Sequence, residues 1–179
     1  MSARFEAHGL EDTIVFFGSA RTTPDSKYYE AARQLAFRLT HWSKGLESKE
    51  RRFVVATGGG PGIMEAANRG ASEAKGLTAG IGISIPMEQT DNAYITRGLS
   101  FHFHYFFMRK FWLAYLAKAM VVFPGGYGTL DELFEVLTLV QTKKMTKPMP
   151  IVLFGTEYWN EVIDFDALVR HGTINAPDV

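Results

Sequence analysis

Apolar residues along this chain follow two rhythms. Five short runs carry no charge: Thr13-Ile-Val-Phe-Phe17, Phe53-Val-Val-Ala-Thr57, Thr78 to Ile85, Ala119-Met-Val-Val-Phe123 and Pro150 to Phe154. Unbroken apolar runs of this length predict strands buried on both faces. Between them the apolar positions recur with helical spacing. One helix is predicted from about Asp25 to Lys44, with Tyr28, Ala32, Leu35, Ala36 and Leu39 on one face. A second opens at Pro61, which suits a first helical turn, and carries Ile63, Met64, Ala67 and Ala71. Further helices are predicted over Tyr105 to Lys118, Leu130 to Lys143 and Tyr158 to Arg170. The polar stretch Met87 to Ser100 reads as a connection.

Strands alternating with helices predict an α/β fold, a single Rossmann-like domain with a doubly wound parallel sheet. In such sheets ligands bind beyond the carboxyl ends of the strands. Small residues cluster there in this chain, at Gly18-Ser19, at Gly58-Gly-Gly-Pro-Gly62 and at Gly125-Gly-Tyr-Gly128. One such cluster is ordinary turn chemistry. Three on one edge predict a floor of backbone N–H groups suited to phosphate.

Composition narrows the ligand. Lys+Arg and Asp+Glu are 19 each in 179 residues, so no net field favours nucleic acid or an anionic membrane. The absence of cysteine removes disulfides, thiolate metal ligands and a cysteine nucleophile. The first residues lack the basic-then-apolar pattern of a signal peptide, and no apolar run is long enough for a bilayer. A soluble, cytoplasmic protein is expected. Neither glycine loop contains the lysine of a P-loop, and neither completes G-x-G-x-x-G, because Ile63 and Asp131 stand where the third glycine is needed. ATP hydrolysis and NAD chemistry are poorly supported; a mononucleotide or sugar phosphate remains. His102 and His104 alternate in Phe101-His-Phe-His-Tyr105, but no third metal ligand accompanies them, so no metal is expected.

Two residues carry candidate chemistry. Arg109 sits among Phe106, Phe107, Met108, Phe111 and Trp112, where a guanidinium needs a partner or a route to the surface. The adjacent Lys110 is expected to reach solvent. Glu132 has two open readings. Thr129-Leu-Asp-Glu132 fits a capping box, and the same carboxylate fits an acid or base beside an anion site. Asp131 reads as an exposed first-turn residue.

Three segments taken together, Thr57-Gly-Gly-Gly-Pro-Gly-Ile-Met-Glu-Ala-Ala-Asn68, Phe106-Phe-Met-Arg-Lys110 and Pro124-Gly-Gly-Tyr-Gly-Thr-Leu-Asp-Glu132, resemble the LOG ("Lonely Guy") family. These are cytokinin riboside 5′-monophosphate phosphoribohydrolases, often mislabelled as lysine decarboxylases. The resemblance runs from about Ile14 to Trp159. The aromatic approach to Arg109 and the Leu-Thr-Leu-Val-Gln-Thr run after Glu132 look like the bacterial type II branch. The family signature P-G-G-x-G-T-x-x-E maps onto Pro124 to Glu132 without a gap.

The resemblance implies hydrolysis of the N-glycosidic bond of an adenosine 5′-monophosphate, N6-modified or not, with no cofactor. It implies Arg109 and Glu132 as the catalytic pair. Gly125, Gly126, Tyr127, Gly128 and Thr129 would hold the 5′-phosphate, with Ser19, Gly59 and Gly60 completing that pocket. Glu88 would face the ribose or base, Lys110 would be among the substrate-binding residues, and Tyr94, Phe107, Met108 and Trp112 could line the base pocket. The helix-terminal setting suggests an ionised Glu132. A homodimer or larger homo-oligomer is implied, with the arginine helix near the contact. The family continues through a longer C-terminal section than this sequence, which ends at Val179; that difference bears on assembly or a lid. Two other readings remain: a non-catalytic carrier of a nucleotide or molybdopterin-type cofactor, and a pyridoxal phosphate decarboxylase. The latter would require a lysine at the sheet edge.

Overall fold

The computed structural model describes residues 2–84 and 91–178. Its elements in chain order are α1 (Ser2–Ala7), β1 (Thr13–Phe17), α2 (Lys27–Lys44), β2 (Val54–Thr57), α3 (Ile63–Glu73), β3 (Thr78–Ile83) and β4 (Ser100–Phe103). They continue with α4 (Phe106–Leu116), β5 (Ala117–Val122), α5 (Tyr127–Gln141), β6 (Ile151–Leu153), α6 (Thr156–Val162) and α7 (Phe165–Arg170). The six strands form one parallel sheet in the order β4-β3-β2-β1-β5-β6. The chain builds outward from β1 to β4, then returns to add β5 and β6 on the other side. The reversal falls between β1 and β5, the place where open α/β sheets leave a crevice.

Strand alternation sorts the core into two layers. Ile14 and Phe16 of β1, with Val55, Val121 and Phe123, pack against Tyr29, Ala32 and Ala36 of α2 and Ile63, Ala66, Ala67 and Ala71 of α3. Val15 and Phe17, with Ala56, Ile81, Met120 and Val122, face Phe5 of α1, Leu113 of α4, Leu133 and Val136 of α5 and Trp159 of α6. Small residues let α2 and α3 approach closely; a Cβ at Gly70 would run into the Arg33 backbone.

Three differences from the pattern-based reading have physical causes. β4 was not expected, because its side chains alternate between buried Phe101 and exposed His102 and lack a continuous apolar run. It is an edge strand with one wet side. The short α1 was also unexpected; its contribution is Phe5, seated against Phe101 with ring centroids 5.0 Å apart. The single C-terminal helix expected over Tyr158 to Arg170 divides at Ile163 and Asp164, where Asp164 caps α7 through the Ala167 amide at 2.7 Å. Among the described residues no helix is long and apolar enough to cross a membrane.

Candidate active site

At the reversal point the carboxyl ends of the strands surround a cavity of about 600 Å3. Its rim and floor are largely backbone. Gly18 and Ser19 follow β1, Gly58 to Gly60 follow β2, Gly82 belongs to β3, and Gly125 to Thr129 lead into α5. The loops after β1 and β5 are tied together, since the Ser19 amide donates to the Pro124 carbonyl at 3.0 Å. Gly18 lies flat against Ile63, which a Cβ would meet at 2.7 Å. Gly59 and Gly62 take φ of +83° and +70°, a region that glycine enters without strain.

The β2 loop is held from behind by a buried amide network. Thr57 Oγ1 accepts from the Gly59 amide at 2.9 Å and donates to Asn68 Oδ1 at 2.7 Å. Asn92 Nδ2 donates to the carbonyls of Gly59 and Gly60, both at 3.1 Å, and to Asn68 Oδ1 at 2.9 Å. On the other side the Tyr158 hydroxyl donates to the Gly125 carbonyl at 2.5 Å. Asn68, Asn92 and Tyr158 were not singled out in the sequence, because residues that shape a loop from a distance carry no local spacing.

Two helices point their N-termini at the cavity, and neither has a side-chain cap. In α3 the Ile63 amide donates to the Ser19 carbonyl at 3.1 Å, and in α5 the Thr129 amide donates to the Gly126 carbonyl at 3.0 Å. Among the described residues the Tyr127 and Gly128 amides that open α5 have no backbone acceptor and can meet an anion. α5 begins at Tyr127, with Gly126 as its cap residue, and not at Leu130 as the pattern suggested. Thr129 therefore stands inside the first turn and the capping box does not form. Glu132 falls in the second turn, and its carboxylate meets Arg109 from α4.

Arg109 Nη2 donates to Glu132 Oε1, and both side chains are nearly enclosed, with 12% and 5% of their surfaces exposed. Burial is the largest influence on Glu132 and pushes its carboxyl above the ordinary value; Arg109 and Lys110 pull it part of the way back. Glu132 stands beyond the first turn, where the helix terminus acts weakly, so the terminus does not lower the carboxyl below its ordinary value. Arg109 Nε is buried with no partner among the described residues. A buried donor left without a partner is costly.

Of the other residues singled out in the sequence, Ser19, Gly59, Gly60, Gly125, Gly126, Tyr127, Gly128 and Thr129 line the cavity. Met108 and Lys110 do not line it, and neither do Tyr94, Phe107 or Trp112; Met64 and Ile83 provide apolar lining instead. Glu88 lies outside the described residues. Lys110 does not run out to solvent. Its ammonium lies 2.7 Å from both Asp131 and Glu135. Burial opposes that charge, but the two carboxylates outweigh it and hold the ammonium above its ordinary value. Helical geometry explains the miss, since Lys110 packs beside α5 one position from Arg109. His102 borders the cavity, whereas His104 lies past the end of β4. No three His, Asp or Glu side chains among the described residues gather as a metal site.

Residues 64–179 match the family described as possible lysine decarboxylase. The cytokinin riboside 5′-monophosphate phosphoribohydrolase LOG7 of Arabidopsis thaliana is 34% identical over 167 residues, 90% of this chain and 70% of that protein. The probable enzyme of the same description from rice, LOGL5, is 30% identical and is spanned over 62% of its length. Among solved structures, TM1055 superposes with a TM-score of 0.58 at 27% identity, covering 84% of this chain and 78% of that one. The molybdenum cofactor carrier protein of Chlamydomonas reinhardtii superposes at 0.54 and 22% identity, over 79% of this chain and 76% of its own, which shows a shared fold.

Proposed function

This chain belongs to the LOG family, and from that premise we propose that it hydrolyses the N-glycosidic bond of adenosine 5′-monophosphate or its N6-modified forms. The products are free base and ribose 5-phosphate. The observation that carries this reading is the enclosed Arg109–Glu132 pair beside the uncapped start of α5. The Tyr127 and Gly128 amides of α5 and the Thr129 hydroxyl bind the phosphate, which fixes the remote C1′ atom near Glu132. Breaking the C1′–N9 bond develops an oxocarbenium-like sugar, and the Glu132 carboxylate stabilises that charge. Its raised proton affinity suits it to take a proton from the attacking water. Arg109 keeps the carboxylate oriented through its Nη2.

The test is product analysis after incubating the purified protein with AMP and, separately, isopentenyladenosine monophosphate. Free base and ribose 5-phosphate are expected from at least one. Tight binding with neither base released would overturn the proposal in favour of a carrier. The carrier reading draws on the shared fold alone and leaves the buried ion pair without a task. A decarboxylase is disfavoured by the lysines: none lines the cavity, and Lys110 is held protonated between two carboxylates.

The phosphate loop yields one prediction. A Cβ at Gly125 would overlap the Thr129 side chain. Gly125→Ala should therefore weaken AMP binding by roughly tenfold or more, the loss of one charge-assisted hydrogen bond. Calorimetric titration measures it.

We also propose a cytoplasmic homodimer joined through α4. That helix fully buries only Leu113, while Phe107, Phe111 and Tyr115 are more than half exposed. Phe106, also exposed, carries the Arg109 guanidinium 5.7 Å above its ring, so the contact would abut the site. Phe111→Glu should raise the dimer dissociation constant by about 30-fold, the scale of one interface hot spot. Light scattering across a dilution series checks it.

A further inference from the structure

Across the cavity from the Arg109–Glu132 pair stands a second constellation with no assigned task. His102 of β4 and Asp91 both line the cavity. His102 Nε2 lies 3.0 Å from Asp91 Oδ2, and the Ser100 hydroxyl donates to the same oxygen. A carboxylate only accepts, so Nε2 carries the hydrogen of that bond and Asp91 sets the ring's orientation. Ser100 is not placed as a nucleophile. Its oxygen is 3.4 Å from the same Nε2 that Asp91 already occupies, whereas an activated serine needs the opposite ring nitrogen.

That opposite nitrogen, Nδ1, faces the cavity floor. A Cβ at Gly82 would come within 3.5 Å of His102 Nδ1 and 3.3 Å of the Gly58 carbonyl. A Cβ at Gly58 would in turn lie 3.9 Å from Arg109 Nη1. The two glycines thus lie between the guanidinium at one end and the imidazole at the other, with Met64 Sδ 2.9 Å from where a Gly58 Cβ would stand. Gly58 follows β2 and His102 stands on β4, two strand spacings apart, or about 10 Å. Met64 borders this glycine strip at Gly58 and Ile83 lies next to Gly82 in the lining, so the strip also has apolar walls.

We propose that His102 is a further catalytic residue, the general acid that protonates the departing purine, with Asp91 as its positioning partner. This rests on the phosphoribohydrolase reading above. With the phosphate at α5 and C1′ beside Glu132, the base extends over the glycine strip toward Nδ1. As the C1′–N9 bond breaks, its electron pair passes into the purine. The Nδ1 proton of the imidazolium goes to a ring nitrogen, so the base leaves neutral. Water adds to C1′ and gives its proton to Glu132. Glu132 then releases a proton to solvent and His102 takes one up, and the sum is one nucleotide and one water giving base and ribose 5-phosphate. Asp91 holds the ring in place through Nε2. General acids of this kind contribute about 10²- to 10⁴-fold.

The test compares two leaving groups. AMP needs protonation as the base departs; 4-nitrophenyl β-ribofuranoside 5-phosphate releases a stable phenolate and does not. His102→Gln keeps a hydrogen-bond donor but cannot deliver a proton. It should lower kcat on AMP by about 10²-fold or more while changing kcat on the nitrophenyl substrate less than about threefold. Asp91→Asn should show the same split, more weakly, with Tm unchanged within a few degrees. Equal losses on both substrates, or no loss on AMP, would overturn the proposal. A wild-type protein that cleaves neither substrate would instead overturn the phosphoribohydrolase reading itself.

Discussion

Glu132→Gln should abolish AMP hydrolysis, by about 10³-fold or more in kcat, while AMP still binds within a fewfold of wild type. The amide keeps the shape and one acceptor for Arg109 but neither takes a proton nor supplies charge at C1′. Stability separates this from a structural role. A carboxyl held above its ordinary value binds its proton more tightly when folded than when unfolded. Its contribution therefore favours the folded state on the acid side. That contribution is lost as pH climbs from the ordinary value near 4.5 through the raised one. Wild-type activity should climb over the same interval as the base form appears. Glu132→Gln should remove both dependences, seen as a flatter plot of denaturation midpoint against pH. Retained turnover, or a protein that no longer folds, would remove Glu132 from the chemistry.

Arg109→Met should be costly twice. It strips the partner from an acid with only 5% of its side chain exposed, which typically costs about 3–5 kcal/mol when a buried pair loses one member. It also removes the stronger of the two nearby cations that lower the Glu132 proton affinity, so the remaining carboxyl should move further upward. The activity limb would shift to higher pH, and both binding and turnover would fall. The double variant Arg109→Met/Glu132→Gln should be more stable than Arg109→Met alone, because the unpaired acid is gone; chemical denaturation of the four proteins gives the coupling. A double variant no more stable than the single would mean that the ion pair contributes little and that Arg109 packs chiefly through its stem.

The chain's own pattern determined much of this. Uncharged runs at Thr13–Phe17 and Ala119–Phe123 can only be buried on both faces, which dictates a covered parallel sheet. Glycine clusters after β1, β2 and β5 marked where the cavity lies, because backbone that lines a cavity closely must shed its side chains. Arg109 stood out because a charge inside an apolar segment needs a partner, and Glu132 because a carboxylate follows the glycine loop.

What only the tertiary structure decided depends on contacts between distant residues. β4 was invisible because an edge strand with one wet face has no apolar run. Lys110 looked like its neighbour Arg109 in sequence, yet one step of 100° around a helix sends it to Asp131 and Glu135 and away from the cavity. The proton affinity of Glu132 follows from its depth, which no local window records. Asp91 lies in the chain before β4, and its contact with His102 at the edge of the sheet is visible only in three dimensions. Spacing along a chain reports which face a residue takes; which residue stands opposite is set by how the layers close.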